Sequence, residues 1–381
     1  MPTAATLSAG GTANTTAGKG AQQAPAVVKP FVRASMEHRE ATGIDVSRVL
    51  TTSDQDMGSF AIPAYGYLRA LFCVVTISGG VAGTAFTADA PYNILKNIVI
   101  QEPNGATIVQ FNSGYDLFLA NKYGGYRNQN DPRAHPSFAT TLPNGTFVVR
   151  IPLELRGRDG LGSLPNQNSA AAFQLRMTLS GSGTVYTSTP TTQPTVRIRV
   201  FAEEWDQPAV TSDGTANQTT PPAMNTTQYW SAQVFPISVG QNMIRLTRTG
   251  NYIRNLLLIY RDVTGARIAN STTNWPDIVQ LYYDTRPFDT IQKDQWLSQI
   301  FERYEYGGRG LANNAAMGID DGVFPYDFCH EFDGKVGNEL NDLWLPTLSS
   351  TRLEVQGSFG VAGTLTVMTD DVSTAGNVFM G

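Results

Sequence analysis

Charge is scarce in this 381-residue sequence. Asp, Glu, Lys and Arg make up 15% of it, against roughly 25% in an ordinary soluble domain. Thr, Ser, Asn, Gln and Gly take their place. Two explanations stand side by side. Much of the surface is buried against neighbours, because charge is depleted at interface cores, or the chain is a polar β protein with a Thr-rich solvent face. The 27 Lys and Arg residues are outnumbered by 32 Asp and Glu, for a net charge of −5. That balance argues against direct nucleic-acid binding, which needs clustered basic residues. Long apolar runs are missing too, so no transmembrane helix is expected. The N-terminus lacks a basic segment followed by an apolar core, so no secretory signal is expected. The sequons at Asn144, Asn217, Asn225 and Asn270 therefore carry little weight. Two cysteines, Cys73 and Cys329, cannot build a disulfide framework. Each lies in an apolar run and is expected as a buried free thiol.

Histidine is equally thin, with only His38, His135 and His330, and catalysis and metal binding lean on it. Cys329-His330-Glu331 looks like a ligand cluster. On a strand, however, alternate residues point to opposite faces, so the three cannot chelate one metal. The acidic pairs Glu203-Glu204, Asp320-Asp321 and Asp370-Asp371 are neighbours in sequence and meet the same objection. Gly79, Gly80 and Gly83 do not follow a phosphate-loop spacing and lack its lysine. Ser163 in GLGSLP lacks the Gly two residues later that a nucleophile elbow needs. No catalytic, cofactor-binding or metal-binding residue is assigned, and the chain is expected not to be an enzyme.

What is present is a pattern that occurs twice. Residues 91–126 read as strand, turn, strand, helix. Ile94 to Ile100 is apolar, and Pro103-Asn104-Gly105 has turn chemistry. Thr107 to Phe111 leads back as a second strand. Tyr115, Phe118, Leu119 and Tyr123 then recur on one helical face, and Gly124 and Gly125 end the helix. Residues 275–308 repeat this, with Trp296, Leu297, Ile300, Phe301 and Tyr304 as the helical stripe and Gly307 and Gly308 as the stop. Upstream, Tyr67-Leu68-Arg69-Ala70-Leu71 matches Tyr252-Ile253-Arg254-Asn255-Leu256. Downstream, Leu164-Pro165 matches Leu345-Pro346. Three matches in one order, about 180 residues apart, indicate an internal duplication. If so, Arg69 and Arg254 should make equivalent contacts.

The expected layout follows. Residues 1–57 form a flexible arm and strap: residues 1–30, mostly Ala, Thr, Gly and Gln, bury too little surface to offset their ordering entropy, and residues 36–50 read as a short amphipathic helix or an extended strap. Residues 58–207 form a first β unit, 208–228 a linker, 229–372 a second unit and 373–381 a tail. Each unit has about eight strands in about 150 residues, with one helix, which suits a jelly roll better than a smaller immunoglobulin sandwich. The fold class is all-β: two tandem eight-stranded jelly rolls, one helix inserted in each.

A tandem pair of this kind resembles the double jelly-roll major capsid proteins of the tectivirus–adenovirus lineage. The duplicated blocks at 67–126 and 252–308 carry the resemblance, with RIRVFAEEW and RLEVQGSFG closing each unit. The resemblance implies a homotrimeric, pseudo-hexagonal capsomer that tiles an icosahedral bacteriophage shell. It implies neighbouring capsomers, and penton or minor capsid proteins, as partners. It places the chain in the virion, assembled in the host cytoplasm. The N-terminal arm, with Lys19, Lys29 and Arg33 nearby, would lie beneath the shell, facing any internal lipid membrane. The competing reading is a two-module carbohydrate- or receptor-binding phage tail or spike protein, which would expose aromatic residues such as Tyr282, Tyr283 and Trp296. A glycoside hydrolase would need opposed carboxylates across a cleft.

Overall fold

The computed structural model describes residues 28–80, 85–124, 145–212, 214–222, 227–270, 272–304, 321–328, 344–349 and 351–373. A one-turn helix, α1 (Phe31–Ala34), leads into β1 (Glu37–Val49), β2 (Gln55–Ala61), β3 (Tyr67–Ser78), β4 (Leu95–Gln101) and β5 (Thr107–Ser113). Helix α2 (Gly114–Tyr123) follows. Then come β6 (Gly145–Pro152), the two-residue β7 (Leu164–Pro165), β8 (Gln174–Leu179), the one-turn α3 (Ser182–Val185) and β9 (Thr195–Trp205). A small hairpin of β10 (Thr211–Ser212) and β11 (Thr215–Ala216) lies in the connection. The second half runs through β12 (Thr227–Ile237), β13 (Gly240–Leu246), β14 (Tyr252–Asp262), β15 (Ile278–Tyr283) and β16 (Arg286–Gln292). It ends with α4 (Lys293–Tyr304), β17 (Val323–Asp327), β18 (Leu345–Pro346), β19 (Leu353–Phe359) and β20 (Gly363–Ser373).

These strands form two sandwiches with the same wiring. In the first, β1-β9-β3-β6 faces β2-β8-β4-β5, with β7 beside β3. In the second, β12-β20-β14-β17 faces β13-β19-β15-β16, with β18 beside β14. Each strand of the first half has its counterpart in the second in the same order, and a helix follows the fifth strand in both. This is a double jelly roll, and the duplication is visible strand by strand. Period-two alternation builds the cores. Leu175, Met177 and Leu179 of β8 are buried, while Gln174, Arg176 and Thr178 are not. One continuous apolar cluster runs through both rolls. Tyr92 anchors it in the first, stacked on Phe118 at 4.3 Å and edge-on to Phe147 at 5.0 Å, a geometry that suits the ring quadrupoles.

The local signals explain the elements. Gly105 adopts φ +88° in the β4–β5 turn and donates its N–H to Glu102, a conformation that glycine reaches without strain. The Ser113 hydroxyl accepts the Tyr115 N–H at the start of α2, and the Gly124 N–H closes its end on Ala120.

Three features differ from the sequence expectation. The strap is largely strand: β1 pairs with β9 from Glu37↔Trp205 to Val49↔Thr195. Its pattern is mostly polar because an edge strand has one side and much of one face in water. The first roll therefore starts well before residue 58. The expected linker already contains the first residues of β12. The strand that closes the second roll is β20, the counterpart of β9, whereas RLEVQGSFG is β19, the counterpart of β8. Residues 1–27, the helix stop at Gly307 and Gly308, and residues 374–381 lie outside the described residues.

Candidate assembly site: bulged arginines and the joint between the rolls

Arg69 and Arg254 occupy the same place in the two rolls. The β3–β9 register shifts between Leu68 and Ala70, and the β14–β20 register shifts between Ile253 and Asn255. Each arginine is the extra residue of a bulge, which re-aims its side chain. Each bulge is flanked by the matching Leu-Pro strand, Tyr67↔Pro165 in one roll and Tyr252↔Pro346 in the other. Opposite each bulge lies an acidic pair, Glu203-Glu204 on β9 and Asp370-Asp371 on β20, all four 5% exposed or less. Sequence reasoning set these pairs aside as mere neighbours. Their common place at the end of each closing strand was the signal that could have found them.

In the first roll Arg69 donates to Glu154 at 2.8 Å and to Glu37 at 3.0 Å. Its guanidinium lies 4.0 Å from the centre of the Trp205 ring, a cation–π geometry. Glu154 also accepts from the Trp205 indole N–H at 2.6 Å and from the Ser163 hydroxyl at 3.0 Å. Arg150 neutralises Glu203 at 2.8 Å. Burial pushes the Glu203 carboxyl up, and its hydrogen bond with Glu37 holds Glu37 below the usual range. Burial pushes Glu204 up to about 7, against the pull of the Asn166 amide that donates to it at 3.2 Å. Phe31 seals this end, edge-on to Tyr67 and Trp205 at 5.2 and 6.4 Å. In the second roll Arg254 pairs with Asp370 at 3.0 Å and Arg248 pairs with Asp371. Burial pushes Asp371 up to about 6. Breaking such buried pairs costs about 3–5 kcal/mol, so their chemistry is structural cross-linking.

The two arginines share their contact to the closing strand and differ beyond it. Arg254 also donates to the carbonyl of Gly124 at 2.9 Å, in the other roll. Asn255 donates to the carbonyl of Tyr123 at 3.3 Å, and the Tyr123 and Tyr304 rings meet edge-on at 4.9 Å. Nearby, Asp89 accepts from Arg261 and Arg267, both at 2.7 Å. Those two guanidiniums lie 5.9 and 5.0 Å from the Tyr115 ring centre. The end of α2 and the Asp89 loop of the first roll are thus clamped onto the β12-β20-β14-β17 sheet of the second. Beside the clamp, β5 lies against β12, with Gln110, Phe111 and Asn112 facing Tyr229, Trp230 and Ser231 across a cavity of about 160 Å³.

The other sequence candidates resolve as follows. Cys73 is fully buried, and burial pushes its thiol up to about 12. Cys329, His330, Glu331, His135, Asp320 and Gly83 lie outside the described residues. His38 stacks on Tyr65 at 4.4 Å. The Ser163 hydroxyl is committed to Glu154. Asp321 accepts the Asn270 N–H at 2.9 Å. Trp296 is 3% exposed and donates to the Pro325 carbonyl, so it belongs to the core rather than to a binding platform. Tyr283 donates to the Pro346 carbonyl, and Tyr282 is half-buried. Lys29 is tied down by backbone hydrogen bonds to Ala216 and Gln218.

No protein-family model matches the chain, and no curated protein matches its sequence. Solved structures do match its fold. The chain is similar to the major capsid protein of the Sulfolobus turreted icosahedral virus, with a TM-score of 0.60, 13% identity and coverage of 89% of this chain and 97% of that one. It is similar to major capsid protein P2 of bacteriophage PM2, with a TM-score of 0.53, 11% identity and coverage of 90% and 99%. It is also similar to the PBCV-1 virus capsid, with a TM-score of 0.52, 10% identity and coverage of 89% and 94%. The chain has the double jelly-roll fold of these viral major capsid proteins.

Proposed function

We propose that the chain is a structural major capsid protein, that three copies form a pseudo-hexagonal capsomer, and that these capsomers tile an icosahedral phage shell. The supporting observation is the pairing of two rolls of one wiring, held side by side by a neutralised joint. Three such pairs set six similar rolls in a ring, a closed symmetric assembly from a single polypeptide. A low surface charge fits the large interfaces of an obligate oligomer, on the order of 2,000 Å² or more, because burying unpaired charge is costly. The fold likeness to viral shell proteins points the same way. On this reading the chain acts in the virion after assembly in the host cytoplasm. Its partners are copies of itself, neighbouring capsomers and penton or minor capsid proteins, and an internal membrane is a partner for the residues before Phe31. No reaction is assigned to it, and no cofactor, metal or nucleic acid enters this role. Light scattering across a dilution series tests the reading. The expected mass is three times the 41.3 kDa of the chain and holds on dilution. A mass of one chain at every concentration would sink it.

A further inference from the structure

The joint within the chain has a counterpart that the single chain leaves open. Within the chain, the outward face of the second roll's β12-β20-β14-β17 sheet is covered by α2 and β5 of the first roll. Its central pair Leu257↔Met368 is 0% and 1% exposed, and Ile259 is 1% exposed. Strand register maps these positions onto the first roll. Leu257↔Met368 corresponds to Phe72↔Phe201, and Ile259 corresponds to Val74. In the first roll all three are only half-buried. The same apolar sheet face is therefore closed in one roll and partly open to solvent in the other.

The helices show the complementary difference. Every residue of α2 is buried except the half-buried Asp116. Its own roll covers one side and the second roll covers the other. In α4, Trp296, Ile300 and Tyr304 are buried against the second roll, while Asp294, Gln295, Ser298, Gln299 and Glu302 are exposed. The charges repeat the sense of the inner joint. There, a carboxylate of the first roll, Asp89, meets Arg261 on the sheet of the second and Arg267 in the loop beside it. Here, Asp294 and Glu302 stand on the open side of α4, and Arg199 stands on the open sheet of the first roll. The sheet edges agree. The edge strands β5 and β12 lie against each other, and their counterparts β16 and β1 are edge strands too. An open edge strand is a liability that proteins cover.

We infer that the open face of β1-β9-β3-β6, centred on Phe72, Val74 and Phe201, is covered by α4 and β16 of a second copy of this chain, in the arrangement by which α2 and β5 cover the second roll within one chain. The inference rests on the self-association proposed above and adds which surfaces meet. The contact is heterologous, so it closes a ring when the rotation between copies allows.

Cross-linking tests it at one pair of positions. Thr76 is the register counterpart of Arg261 on the sheet. Gln295 is the third residue of α4, as Asp116 is of α2, and the Arg261 charge acts on Asp116. In a Cys329→Ser background, Thr76→Cys with Gln295→Cys should give covalent three-chain species with a short bis-maleimide. Mixed single variants should give two-chain products, and either single variant alone should give none. A second variant, Val74→Glu, should keep the wild-type circular dichroism spectrum while losing the trimer peak. A wild-type chain of trimer mass whose double variant gives no cross-linked chains would overturn the inference and leave the trimer standing. A wild-type chain that stays monomeric would overturn both.

Discussion

Glu204 lies between β1 and β3 with 1% of its surface exposed, paired in register with His38 on one side and Leu68 on the other. The groups that act on it are the Asn166 amide and His38, which favour its charge, and Glu40 and Asp206, which oppose it. Burial outweighs them and pushes the carboxyl from near 4.5 up to about 7. The sign follows from proton binding. Between those values the folded chain holds a proton that the unfolded chain has released. The stabilising contribution is therefore complete below about pH 4.5 and is lost as pH rises through 7. Glu204→Gln keeps the oxygen that accepts from Asn166 and removes the titration. We expect the variant to exceed the wild type in unfolding free energy at pH 8 by roughly 2 kcal/mol, with the gap closing towards pH 5. Denaturant titrations at both pH values measure it. An equal gap at both would show that Glu204 titrates normally. Asp371, also 1% exposed and raised to about 6, adds to the same slope in the other roll.

At the scale of elements, the two helices separate what the sequence revealed from what it hid. Both were legible as apolar stripes followed by glycine, because a helix must bury one face. That α2 is enclosed on all sides was not legible, since the second covering surface comes from residues more than a hundred positions away. The β4–β5 hairpin was legible from Asn104 and Gly105, whose turn chemistry is local. β1 was not, because its partner β9 lies at the far end of the roll and most of its side chains face water. The Arg69–Arg254 match was legible as spacing, but its meaning needed the bulge. The acidic pairs were missed because sequence neighbours on a regular strand point apart, and the bulge brings Arg69 to Glu203 and Arg254 to Asp370. Asn121 tests the enclosure of α2. Its amide donates to the Arg150 carbonyl at 2.6 Å and accepts the Arg150 N–H at 3.0 Å, tying α2 to β6. Asn121→Ala removes both of these hydrogen bonds from the part-buried Arg150 backbone, at a cost of about 1–3 kcal/mol. Gln299→Ala on the open side of α4 should change stability by less than about 0.5 kcal/mol in the isolated chain. Equal effects in urea unfolding would mean that the two helices sit in similar surroundings.

At the scale of the molecule, the question is whether two rolls of one wiring unfold as one unit. Separate rolls would melt independently, as domains joined by a small interface do. Here the apolar cluster is continuous across the joint, and the charges at the joint are shared between rolls. Asp89 pairs with both Arg261 and Arg267, and the Arg267 side chain has no exposed surface. Without Asp89, the buried Arg267 guanidinium loses this ion pair, and the carbonyl dipoles of Ala88 and Asp321 offset its desolvation less well than a full charge does. The wild type is expected to melt in one calorimetric transition whose measured and van't Hoff enthalpies agree. Asp89→Ala removes the shared charge from the joint while leaving each roll's own sheets intact. It should lower the melting temperature by several degrees and split the transition in two, because coupling between the rolls passes through this contact. A single transition, merely shifted down, would place the coupling in the apolar seam and in the hydrogen bonds of Arg254 and Asn255 to the end of α2.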